Sequence, residues 1–111
     1  MASAKRFFRH TAVSVMQLYL EFEDGVMPGG VFDPRILDYR IDIERILEQE
    51  LSAAELTVLM AVHRDGKTDA EAVAMAGLDT QRPSALVRRI EIRIGKVFER
   101  KNFLDFTRYL S

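Results

Sequence analysis

The chain has 111 residues, 48% of them apolar and 30% charged, with 16 basic and 17 acidic side chains, a formal net charge of −1 and no cysteine. That length makes one domain with an ordinary core, and the near-neutral sum speaks against a generic polyanion binder. Without cysteine there are no disulfides, thiolate metal sites or cysteine nucleophile, and apolar runs of only a few residues leave no transmembrane helix.

The segment Met1–Arg9 opens basic but lacks the apolar core and cleavage site of a signal peptide, so the expected compartment is the cytoplasm. The distribution of charge is more informative than its sum. Residues 1–20 carry three basic side chains and no acid, and residues 21–71 carry five basic and thirteen acidic ones. Residues 82–111 carry eight basic and three acidic side chains, so the cations gather towards the two ends.

The first helix is expected from Ser3 to Phe22. Phe7, Phe8, Val15, Leu18, Tyr19 and Phe22 share one face, while Val13, Met16 and Leu20 form a second. A helix apolar on more than one side is either central to the core or shared with a partner. Phe7, Phe8, Met16 and Leu20 are therefore candidates for a dimer or protein-partner surface. The turn-rich segment Asp24–Pro34 breaks any period and reads as a loop that lets the first helix fold back, swap or hinge. Its Gly29-Gly30 pair is not a phosphate loop, because no Gly-Lys-Ser/Thr follows.

Asp33 is an N-cap candidate with Pro34 at the first helical position, and a helix follows to Glu50. Tyr39, Ile43, Ile46 and Leu47 form its apolar stripe, and its acids alternate with Arg40 and Arg45 on a solvated face. Ser52 and Glu55 have capping-box spacing at the start of the next helix, which Asp65-Gly66 stops. His63 reads as a packing residue at that helix end. Thr68 and Glu71 form a second capping box, opening a short Ala-rich helix that ends at Gly77. Its small side chains allow another helix to cross closely. Asp79 or Thr80 is then expected to cap the final long helix, with Pro83 in its first turn.

That helix, Arg82–Lys101, divides cleanly at 100° per residue. Leu86, Val87, Ile90, Ile94, Val97 and Phe98 fall within an arc of roughly 120°, and Arg82, Arg89, Arg93, Lys96 and Arg100 within a separate arc of about 60°. Glu91 and Glu99 lie on neither. The alternation Ile90–Ile94 also reads as a strand, but Leu86, Val97 and Phe98 extend the helical period. After a break at Asn102, Phe103, Phe106 and Tyr109 form a short aromatic tail expected to dock on the core, since leaving such rings in water costs about 25 cal/mol per Å².

A capped helix, a tight glycine turn, a short helix and a long cationic helix compose a helix-turn-helix. In that geometry the short helix crosses the DNA backbone with its N-terminus near a phosphate, and the long helix enters the major groove. Arg82, Ser84, Ala85, Arg88 and Arg89 then lie at the reading end, and Arg93, Lys96 and Arg100 along the backbone side.

Leu51-Ser52-Ala53-Ala54-Glu55 and Glu71-Ala72-Val73-Ala74-Met75-Ala76-Gly77-Leu78 resemble the helix-turn-helix of sigma factor region four and its response-regulator relatives. Glu71, Gly77 and Leu78 match that pattern in register. Ala72 and Val73 replace its Ile-Ala and Ala76 its Leu; the turn before the last helix is longer by about three residues, since Pro83 falls on an apolar recognition-helix position. The resemblance covers residues 51–101. It implies a transcription regulator that binds double-stranded DNA, with RNA polymerase or another regulatory protein as a further partner.

The expectations are thus an all-α fold of five to six helices in one domain. Residues 1–50 form an N-terminal helical hairpin and residues 51–111 a DNA-binding region using Arg82, Ser84, Arg88, Arg89, Arg93, Lys96 and Arg100. The rival reading is a protein-interaction module whose basic stripe meets an acidic protein surface. An enzyme is not expected, because neither a triad, a metal-ligand spacing nor a phosphate loop is present. No cofactor or membrane association is expected, and a homodimer is.

Overall fold

The computed structural model describes residues 3–22, 25–26 and 30–110. The chain is all-helical: α1 (Ser3–Glu21), α2 (Pro34–Glu50), α3 (Ala53–His63), α4 (Asp69–Met75) and α5 (Pro83–Arg100), followed by a 3-10 helix (Phe106–Leu110). The extended pairing among the described residues is a single antiparallel bridge, Val26 with Phe32, inside the α1–α2 connection. Residues 23, 24 and 27–29, including Gly29 of the segment read as a hinge, lie outside the described residues.

Helix boundaries follow local chemistry. Asp33 accepts a bond from the Arg35 amide, and Pro34 opens α2. Both capping boxes close reciprocally: Ser52 with Glu55 on α3, and Thr68 with Glu71 on α4. Gly66 and Gly77 adopt φ of +68° and +70°, the left-handed conformation that terminates a helix with least strain in glycine. Asn102 adopts φ of 57° and ends α5. The start of α5 departs from expectation. Neither Asp79 nor Thr80 caps it; Thr80 Oγ1 takes the amide of Arg82, and Arg82 stands at the N-cap with no side-chain bond to the helix.

One core joins all the helices. Val15 and Met16 of α1, with Phe22 just beyond its end, join Tyr39, Ile43 and Leu47 of α2, Val58 and Leu59 of α3, Val73 of α4, and Ile90, Ile94 and Phe98 of α5. The aromatic tail docks as expected. Phe103 is buried, and Phe106 and Tyr109 pack on Tyr39, whose hydroxyl donates to the Phe103 carbonyl. Burial pushes the Tyr39 phenol well up, so it stays a neutral donor.

Residues 1–50 are less hairpin-like than expected. The most extensive helix pair is α1 with α5, and α1 touches α2 mainly near its C-terminal end, through Tyr19 and Phe22. Met16 is fully buried in the chain's own core, which corrects its assignment to a partner surface. The apolar width of α1 is consumed by packing against several helices at once.

Candidate nucleic-acid interface

Helix α5 owes its position to two residues outside its apolar stripe. The first is Gly95. A Cβ built there would lie 1.9 Å from the backbone oxygen of Phe8, so the α1 and α5 backbones meet where only glycine fits. The second is Glu91, one turn earlier and only 2% exposed. Its Oε1 accepts from Arg9 Nε on α1 at 2.8 Å, and its Oε2 meets His63 Nε2 on α3 at 2.8 Å. Burial pushes this carboxyl up, but the hydrogen bonds from His63 and Arg9 outweigh it and hold Glu91 below the ordinary carboxylate range. An ionised carboxylate only accepts, so His63 Nε2 must carry a proton. Glu91 thereby ties α1, α3 and α5 together.

The sequence pattern missed this node. Glu91 reads as an off-stripe acid and His63 as helix-end packing, and nothing in their spacing couples them to Arg9. An acid at the border of an apolar arc, with glycine one turn on, is the one available signal.

The cations of α5 point to solvent. Arg82, Ser84, Arg88, Arg89, Arg93, Lys96 and Arg100 are all exposed. Their surroundings separate them into two groups. Arg93 Nη2 lies 2.6 Å from Glu55 Oε2, so this arginine braces α5 against the start of α3. Burial raises the Glu55 carboxyl, while the Ser52 amide and Arg93 together bring it below the usual range. Lys96 has its ammonium 5.8 Å from the Phe8 ring centre, at the α1 crossing. By contrast, no acid among the described residues pairs with Arg82, Arg88, Arg89 or Arg100. The free cations of the first half, Arg82, Arg88 and Arg89, flank an α5 N-terminus whose amides lack a side-chain cap.

Helix α4 does not match the expectation that its N-terminus meets a phosphate. Thr68 Oγ1 already accepts from the Glu71 amide, and Asp69 and Glu71 occupy the first turn. Those acids complement the helix dipole and repel a phosphate.

Of the remaining partner-surface candidates, Phe7 is 48% exposed, with its ring 5.6 Å from that of Phe8. Phe8 is half-buried beneath Lys96, and Leu20 packs half-buried on the core. Met75 on α4 is 54% exposed and shares a shallow groove with Leu56, Thr57 and Met60 of α3.

Among the described residues, no group of three or more His, Asp or Glu side chains is arranged to hold a metal ion, and no helix is long and apolar enough to cross a membrane. No family model, curated protein or solved structure matches this chain.

Proposed function

We propose that this protein is a DNA-binding regulator that presents the first half of α5 to the duplex. The observation that carries the reading is the cluster of exposed, unpaired cations Arg82, Arg88 and Arg89 around an uncapped helix N-terminus, backed by a rigid core. Free amides and guanidinium groups at one helix end suit phosphate oxygens and the acceptor edge of guanine. The order α3, α4, α5 supports a helix-turn-helix like that of sigma factor region four, with the seven residues from Ala76 to Arg82 as a long turn. In this reading α4 serves as a spacer, since its own N-terminus is acidic and capped.

Arg88→Ala with Arg89→Ala tests it best, because neither pairs with an acid among the described residues. Duplex affinity measured by fluorescence anisotropy at low salt should fall about tenfold or more, and the slope of log affinity against log salt should drop by roughly two phosphate contacts. Unchanged affinity removes the reading.

The second reading is a protein-interaction module. The exposed Met75 beside Leu56 and Met60, and the exposed Phe7, favour it. Absence of duplex binding at low salt, together with loss of a co-purifying protein on Met75→Asp, would select this reading instead.

A further inference from the structure

An open cavity lies away from the reading end of α5, at its other terminus, and it is lined by cations from three separate segments. Arg45 of α2, Arg100 and Lys101 from the end of α5, and Arg108 of the 3-10 helix surround an open space of about 570 Å³. One carboxylate, Asp42, lines it too. That carboxylate is already engaged: Oδ2 accepts from the Tyr109 hydroxyl at 2.7 Å, and Oδ1 is 3.9 Å from Arg45 Nη1. Among the described residues no acid pairs with Arg100, Lys101 or Arg108.

Arg108 is held in place by other means. Its guanidinium carbon lies 5.3 Å from the ring centres of both Phe103 and Tyr109. Aromatic faces fix a cation without neutralising it, so its full charge remains available to the cavity. Tyr109, pushed up to about 12 by burial and by its bond to Asp42, stays a neutral hydroxyl. The carboxyl end of α5 contributes about half a negative charge, far less than four cations offset against one carboxylate. A chain of net charge −1 has thus concentrated positive charge in one concavity.

We propose that this cavity binds a small phosphate-bearing anion, of the size and charge of pyrophosphate or the phosphate chain of a nucleotide. The volume falls within the range of small-ligand sites, and fork-shaped guanidinium groups suit phosphate oxygens. The proposal goes beyond duplex binding, because Arg45 and Arg108 lie outside the α5 stripe.

Titrating the full chain with sodium pyrophosphate at constant ionic strength, followed by NMR of backbone amides and arginine Nε–H groups, tests it. Saturable shifts are expected at Arg45, Arg100, Lys101 and Arg108 and not at Arg88 or Arg89. Arg45→Gln with Arg108→Gln should weaken the apparent affinity about tenfold, with duplex affinity unchanged. Lys101→Gln, which leaves the aromatic contacts of Arg108 intact, should weaken it as well. Non-saturating shifts, or shifts of equal size at Arg88 and Arg89, would overturn the proposal. So would a double variant that loses duplex affinity in a protein that binds no pyrophosphate, since the phosphates would then be those of nucleic acid.

Discussion

The two halves of α5 carry cations at similar density yet use them differently. From Arg82 to Arg89 the basic side chains pair with no acid among the described residues, and the helix end lacks a side-chain cap. From Glu91 to Lys96 the polar and glycine positions are committed: Glu91 to Arg9 and His63, Arg93 to Glu55, Lys96 to Phe8, and Gly95 to the α1 backbone. A single amphipathic pattern therefore contains a stretch from Glu91 to Lys96 whose polar residues are held by neighbours, and a first half whose cations are presented. The difference separates substitutions that unfold the protein from those that change what it binds.

The most severe break should come from Gly95→Val. The Phe8 backbone leaves no space for a side chain, so α1 must separate from α5. We expect a loss of about 3 kcal/mol or more, read by urea unfolding. A near-wild-type midpoint would mean that α1 is not held at this crossing. Glu91→Ala should come next, at about 2 kcal/mol, because it opens a cavity and strands the buried edge of His63, while half-exposed Arg9 recovers water.

Ser52→Ala removes one half of the α3 capping box and should cost about 1 kcal/mol. It also loosens the Glu55 carboxylate that holds Arg93. Arg93→Ala itself should cost about 0.5 kcal/mol, as expected for a partly exposed ion pair. Against these, Arg88→Ala with Arg89→Ala should leave the unfolding midpoint in place and change duplex affinity alone. If that pair destabilises the fold as much as Glu91→Ala does, the distinction between the two halves fails.

Acid should weaken the contacts that hold α5 to α1 and α3. Glu91 and Glu55 are both held below their ordinary range in the fold. Their contribution to stability is fully present above the unfolded carboxylate value of about 4.3, and it is lost as pH falls through the lower folded values. The melting temperature should therefore decline on the acid side, and Glu91→Gln should flatten that decline. An identical acid profile in Glu91→Gln would exclude Glu91 as a contributor.

Much of the architecture was legible along the chain because it depends on near neighbours. The caps at Asp33, Ser52 and Thr68 and the stops at Gly66, Gly77 and Asn102 are local events. The docking of Phe103 and Tyr109 follows from the cost of exposed rings. The start of α5 differs from the pattern because Thr80 can bond two residues ahead as readily as it can cap a helix. The candidate interface was legible as a stripe, but not as free versus paired cations, since Glu55 lies 38 positions before Arg93 and only packing brings them together.

The helices, most of their ends and the two-sided character of α5 can be read along the chain, because periodicity and capping act within a few residues. Tertiary structure decided what α1 is for. Its double apolar face invited a partner, and the fold spends Met16 and Ala12 inside and lays Phe8 against Gly95. It also decided that Glu91 and His63, 28 positions apart, share a buried bond with Arg9. A buried charge is tolerated only where partners from distant segments converge on it, and that convergence exists only once the helices have packed.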